Sequence, residues 1–295
     1  EQWLGTRDND RNEMKYIFVA WHIVHASNGQ GNYGDDVAYD AVAWLNETFA
    51  PHNVVFEVDT ITRTENDEWF SDWYDQVFQG SQALSIDAFH NMNVYTADLY
   101  AAGVAGFAFF ANSFPAGDYR FSVNVDYRDL AYGNDVLTHE VGHHLNLRHT
   151  FSGSCGVDGD GIGDTPRHLD SELWTCNDNL DSCPNDDGND PIHNYMTYTS
   201  SSCQYEFTSG QEDNVHYAIE TYHYGYLENN FGAPNLYVDA LSFEEDTDED
   251  GILNPGEQMK LYVDIGNSYD YDADSITMVI SSENEFLFFI DNTIQ

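Results

Sequence analysis

Residues 137–151 read "LTHEVGHHLNLRHTF", four histidines and one glutamate in fifteen positions. Asn134 is suited to cap a helix here, and Val136, Leu137, Val141 and Leu145 fall along one side of it. His139 and His143 then stand one turn apart on a shared face, because residues four apart on a helix are neighbours. Two imidazoles so placed bind one zinc ion, and Glu140, beside the first, reaches a zinc-activated water as general base. A catalytic zinc takes three protein ligands and keeps a fourth position open. His149 is the third candidate. A continuous helix would carry it away from the metal, so the chain must turn sharply after Leu145. Asn146, at that turn, is a residue type that visits the left-handed conformation in which helices end. His144 falls on the other side of the helix and reads as solvated.

The surroundings of this stretch narrow the function further. Against 52 acidic residues stand 9 basic ones, a net charge of −43, so nucleic acid and anionic membranes would repel the chain. Such an excess keeps a protein soluble at high ionic strength or loads it with divalent cations, the habit of a halophile-like protein; a merely acidic surface is the plainer reading. Hydrophobic residues make up 41 % and aromatics 15 %, enough for a sizeable core. The longest apolar run, Val104 to Ala111, is too short to span a membrane, so no membrane insertion is expected. A chain that starts at Glu1 without methionine or apolar leader reads as a processed, exported form. Cys155, Cys176, Cys183 and Cys203 fall in one 49-residue window without a C-x-x-C pair. Disulfides in a secreted protein fit them better than a zinc knot, and four cysteines leave three pairings open.

Along the chain, "KYIFVAWHIVHA" (15–26) reads as a buried strand, Val37 to Phe49 as a helix closed by Pro51, and "NVVFEVDTI" and "NMNVYTADL" as further strands. "GVAGFAFFAN" (103–112) and "RFSVNVDY" supply a fourth and fifth. The predicted class is α/β (α+β) with a mixed sheet and a zinc-binding helix. Residues 152–191 are loop-like, and 209–230 read as a helix. After a linker at "FGAP" come four strand-like runs, "LYVDALSF", "QMKLYVDIGN", "ITMVISS" and "EFLFFI". The expected division is a catalytic domain over 1–232 and a short all-β, sandwich-like module over 233–295. That module falls short of the roughly 100 residues of a seven-strand sandwich and reads as incomplete. Within it, Asp246, Asp248, Asp250, Gly251 and Glu257 occupy positions 1, 3, 5, 6 and 12 of a calcium-loop pattern. Strand-like flanks and Pro255 make it a calcium-braced β-turn or a solvated acidic loop, not a helix-loop-helix hand.

The histidine stretch resembles the metzincin pattern H-E-x-x-H-x-x-G-x-x-H followed by a Met-turn, here "NYMTYT" (194–199), with Asn146 in place of the glycine. The fuller string resembles the pappalysin family, in particular its ulilysin-like bacterial members, which read H-E-x-G-H-x-L-G-L-x-H-T-F. The resemblance runs from about Lys15 to Asn230 and takes in "CGVDGDGIGDTP" and "NDPIHNYM". It implies a metzincin-type catalytic domain and a secreted zinc endopeptidase that acts on protein or peptide substrates, most simply as a monomer. It assigns Met196 to the floor beneath the three histidines and Tyr198 to the oxyanion. "GFAFFAN" becomes the strand that pairs with an extended peptide. The implied bridges are Cys155 with Cys183 and Cys176 with Cys203. Calcium bracing of the same loops is implied, with Asp158, Asp160, Asp164 and Thr165 as candidate ligands; free carboxylates are the competing reading. A secreted adhesive or matrix-binding protein, in which the β-module does the work, is the alternative that an intact Glu140 argues against.

Overall fold

The β-branched and aromatic run Lys15–His25 forms strand β1, the second of five in one twisted sheet. The computed structural model describes residues 14–156, 159–169 and 176–228, together with the strand backbones 236–245 and 259–267. The other strands of the sheet are β2 (Val54–Glu65), β3 (Asn91–Ala97), β4 (Gly106–Ala108) and β5 (Val123–Asp126), in the order β2-β1-β3-β5-β4. β1 pairs parallel with β2 and β3, and β3 parallel with β5, whereas β4 runs antiparallel along β5 and leaves its other edge open. Parallel neighbours need crossover connections, usually helical. Helix α1 (Asp35–Phe49) joins β1 to β2, and α2 (Asp67–Leu84) joins β2 to β3.

Alternation along β1 decides which layer each helix joins. Ile17, Val19, Trp21 and Ile23 point into a core shared with Ala41, Leu45 and Phe49 of α1. The same core holds Leu137 and Val141 of α3 (Val136–His144) and Val215 and Ile219 of α4 (Ser209–Tyr222). Val24 joins the opposite core with Phe70, Trp73 and Val77 of α2. The sheet is therefore covered on both faces, with α1, α3 and α4 below and α2 above.

Three elements differ from the sequence reading. Helix α2 was not anticipated, although Asn66 caps it by accepting from Trp69 N at 3.0 Å and Phe70, Trp73 and Val77 recur at helical spacing. The expected strand over 103–112 is ladder-paired only at Gly106–Ala108, because β5 offers just four residues and the chain turns where Ser113 N donates to Phe110 O at 2.8 Å. The helix expected to reach residue 230 ends at Tyr222. There His223 N is shared between the carbonyls of Ala218 and Ile219, and Gly225 packs so tightly on Phe89 O that a Cβ would not fit.

Contacts divide the chain into two compact units, Glu1–Phe231 and Gly232–Gln295. In the second, β6 (Leu236–Glu245) pairs antiparallel with β7 (Met259–Asn267), with a bulge between Val238 and Ala240. The strand-like runs 276–282 and 285–290 lie outside the described residues, as do Asp246, Asp248, Asp250, Gly251 and Glu257. Among the described residues no helix is long and apolar enough to cross a membrane.

The end of β5 is fixed by one ion pair. Asp126, wholly buried, accepts from Arg128 Nε at 2.6 Å and Nη2 at 2.7 Å, and from the amides of Leu99 and Tyr100 at 2.7 and 3.1 Å. Burial opposes its charge, yet the hydrogen bonds from Arg128 and these amides hold the carboxyl below the usual carboxylate range. A carboxyl lowered in the folded state stabilises fully above its unfolded pKa, about 3.9, and the gain is lost as pH falls through the folded value. Arg128→Met should therefore cost about 2–3 kcal/mol at neutral pH, less than a fully buried pair because Arg128 is 36 % exposed. The deficit should shrink as the pH drops below 4. Urea unfolding at pH 7 and pH 3 reads this, and an equal deficit at both values would be inconsistent with it.

Candidate metal centre

Helix α3 begins after Asp135, one residue later than the sequence reading had it. Asn134 Oδ1 accepts from Val136 N at 3.0 Å, while Asp135, 2 % exposed, takes the Trp44 indole N–H at 2.9 Å. Asp135 N also donates to Ser201 Oγ at 3.3 Å, which ties the helix start to the segment after Met196. The helix ends in a Schellman turn: Asn146 N donates to His143 O at 2.9 Å, Leu147 N donates to Gly142 O at 2.8 Å, and Asn146 has φ 72°. The reversal returns His149 to the face that carries His139 and His143.

The three side chains converge. His149 Nε2 lies 3.0 Å from His143 Nε2 and 3.1 Å from His139 Nε2. His139 Nδ1 lies 2.8 Å from Tyr195 O, and His143 Nδ1 2.7 Å from Leu147 O. A carbonyl only accepts, so both Nδ1 atoms carry the proton and both Nε2 atoms turn lone pairs inward. Lone pairs facing one another repel, and a cation between them removes the conflict. Tetrahedral zinc with Zn–N bonds of 2.0–2.1 Å sets its nitrogens about 3.3 Å apart, close to what is observed. Burial first, then mutual repulsion, keeps His139 and His149 below the usual imidazole range, His149 at about 4, so the cage is neutral and ready to ligate. Three neutral imidazoles, His139 and His143 of them anchored through Nδ1 to backbone carbonyls, fit zinc.

Glu140 is 7 % exposed, and its Oε2 is buried with no hydrogen-bond partner. Burial pushes its carboxyl up to about 8, a shift that a neighbouring cation opposes. Strand β4 lies directly over it: a Cβ on Gly106 would come 2.7 Å from Glu140 Cγ and 2.9 Å from Asn124 O. Met196, wholly buried, packs against Gly142, the helix position between the two histidines. Its loop is held by Asn194, whose Oδ1 accepts from Met196 N at 2.9 Å and from Gln211 Nε2 at 2.9 Å. Tyr198 is 42 % exposed, its ring 4.7 Å from His149 and 5.7 Å from His139. Burial and the Glu140 charge raise its phenol pKa, so it remains a donor at neutral pH.

His144 is not solvated. It is wholly buried, stacked on His223 at 4.4 Å, with Nε2 2.9 Å from the Tyr226 hydroxyl. The sequence reading failed here because its partners lie about eighty residues downstream, on and after α4. Gly106 and Phe110, whose ring stands 5.3 Å from His143, also escaped notice within an apolar run.

Cys155 is bridged to Cys183 and Cys176 to Cys203. In the loop they brace, Asp160 and Thr165 are buried, and burial raises Asp160 to about 6. Asp164 accepts from Thr208 Oγ1 and Gly210 N, both at 2.8 Å, at the start of α4. Asp158 lies outside the described residues. Because a Cβ on Gly142 would collide with Met196 Sδ, Gly142→Ala should lower Tm by about 2–8 °C, from about 1–2 kcal/mol of overpacking. It should also weaken metal retention, and calorimetry with and without chelator separates the two effects. An unchanged Tm would mean that the methionine gives way freely.

The profile of the M43 peptidase family, described as pregnancy-associated plasma protein-A, matches residues 78–220. An extracellular metalloprotease of Verticillium alfalfae is 36 % identical over 219 residues, covering 70 % of this chain and 76 % of that protein. One of Colletotrichum graminicola is 34 % identical over 215 residues, covering 68 % and 75 %. The solved structure of mature mirolysin from Tannerella forsythia, in complex with a cleaved peptide, superposes with a TM-score of 0.60 at 24 % identity, over 72 % of this chain and 98 % of that one; at such identity it speaks for the fold alone. With the relatives' coverage and the family profile falling on the histidine helix and its supporting loops, the chain belongs to the pappalysin (M43) family of metzincin zinc metallopeptidases.

Proposed function

We propose that the protein is a secreted zinc endopeptidase in which His139, His143 and His149 hold the metal and Glu140 is the general base. The observation that carries this reading is the meeting of three inward-facing imidazole Nε2 atoms with a buried, unpartnered carboxylate oxygen under the open edge of a sheet. Zinc, when bound, supplies a Lewis acid that polarises the scissile carbonyl and acidifies water. The chain's own residues do the rest. An extended peptide adds to the free edge of β4, antiparallel, through main-chain hydrogen bonds. Glu140 takes the proton of the attacking water at Oε and delivers it to the leaving amine. Tyr198, a neutral phenol beside His149, donates to the oxyanion, and Met196 keeps the helix face from shifting. Secretion is supported by the extracellular naming of the relatives and by two disulfides in a small loop region. We assign 1–232 to the peptidase and 233–295 to a sandwich-like module, with the whole acting as a monomer on protein or peptide substrates.

Glu140→Ala should retain one zinc per chain by elemental analysis and lose casein hydrolysis by about a thousandfold. Retained proteolysis in that variant would remove Glu140 from the mechanism.

Calcium is the second proposed ion. Asp160 and Thr165 are buried in the loop between the bridges, and Asp158, near them in sequence, is proposed with main-chain carbonyls to complete an oxygen shell. Asp164 already caps α4, so its remaining lone pairs are what it has to offer. The loop of Asp246, Asp248, Asp250 and Glu257 is a further candidate. Calcium at a hundredfold excess over Kd adds about 2.7 kcal/mol, or about 5–10 °C for a domain of this size. Thermal melts should rise by that order on adding calcium to the zinc-loaded protein. A melt indifferent to calcium would leave the acidic loops as solvated carboxylates.

A further inference from the structure

The geometry points to an aromatic ledge beside the cleft that selects large apolar side chains at alternate positions of the substrate, a reading that rests on β4 as the strand a bound peptide pairs with. Side chains of neighbouring strands that face each other share a face of the sheet. On β4 the two faces differ sharply. Ala108 packs with the lower core, and Gly106 opens onto Glu140. Phe107, and Phe109 just past the end of β4, pack the other way, towards α2. Every second side chain of a peptide added to the β4 edge therefore lies over α2 and not over the metal.

What waits there is a row of half-covered rings. Tyr74 and Phe78, one turn apart on α2, are 46 % and 43 % exposed. The Tyr74 ring meets Phe107 edge-on at 4.9 Å, and Phe78 stacks on Phe109 at 5.2 Å. Phe114 closes the row against Phe109 at 5.5 Å. The ledge is also held rigid from behind: Trp73 Nε1 donates to Asn124 Oδ1 at 2.8 Å, and Asn124 Nδ2 donates to Phe107 O at 3.2 Å, locking α2, β5 and β4 together. Preorganised apolar surface costs no ordering when a ligand covers it.

The occupant is apolar and not cationic. Ring faces attract cations, but the place over Phe114 is already taken by Arg120, 4.2 Å from the ring centroid and bound to Asp118 through two nitrogens. A second cation at that end would be repelled. Phenylalanine, tyrosine, leucine or methionine side chains instead bury their own surface and that of Tyr74 and Phe78 together.

Profiling the zinc-loaded protein on a random peptide library by mass spectrometry tests this. Cleaved peptides should show about tenfold enrichment of large apolar residues at two positions separated by one residue, the selectivity that covering one large side chain supplies. In Tyr74→Ser/Phe78→Ser that ratio should fall below about twofold, and Phe78→Leu alone should keep most of it, since a leucine still offers apolar cover. Cleavage by the unmutated protein without preference at alternating positions overturns the ledge and leaves the peptidase reading intact. So does a preference for arginine or lysine there, or an apolar preference that survives the double substitution. An unmutated, zinc-loaded protein that cleaves no peptide overturns both.

Discussion

The reversal at Asn146 is the constraint on which the centre depends. His139 and His143 are brought together by helical repeat alone, but His149 meets them only because the helix stops and the backbone enters the left-handed region. There Asn146 N and Leu147 N take the carbonyls that the helix end leaves open. An L-residue other than glycine pays about 1–2 kcal/mol for that conformation, and asparagine is the residue type that tolerates it best. Asn146 also recovers something glycine could not: its Nδ2 lies 3.4 Å from Asn214 Oδ1, and Asn214 Nδ2 lies 3.4 Å from Asn146 O, tying the turn to α4. The substitution exchanges backbone ease for a link to a neighbouring helix.

Two glycines set how closely the neighbouring layers approach α3. From above, β4 comes down on Glu140 at Gly106; on the flank, Met196 presses on Gly142. A side chain at either position would lift a layer away and change the water-excluded space around the carboxylate. Burial then governs the electrostatics. The imidazoles are kept neutral and the carboxylate is deprived of partners, the starting condition from which a divalent cation, with its two charges, gains most.

Much of this was legible in the sequence because it is local. The spacing of His139, His143 and His149 is a statement about one helix and one turn, and the strands of the sheet carry their own alternation. What depends on distant partners was not. His144 is indistinguishable in sequence from a surface histidine, and only Tyr226 and His223, brought back by α4, make it a core residue. The run 103–112 looks uniformly apolar, yet its residues divide between the metal side, the α2 side and a turn, and that division is set by the register with β5. Helix α2 did carry local signals, an asparagine cap and a Phe70, Trp73, Val77 stripe, whose edge is blurred by the exposed aromatics Tyr74 and Phe78 that flank it.

Those exposed aromatics also bear on how so acidic a chain can bind a polypeptide. At −43, attraction by charge would reach every basic segment alike and would fade with salt. Two of the arginines are spent locally: Arg128 on Asp126 and Asp98, Arg120 on Asp118 and the Phe114 ring. The proposed main-chain pairing along β4 is indifferent to sequence and charge, and the apolar contact proposed beside it strengthens where salts are excluded from protein surfaces. A peptidase that binds by backbone and rings can thus carry a large negative surface without that surface dictating what it cuts.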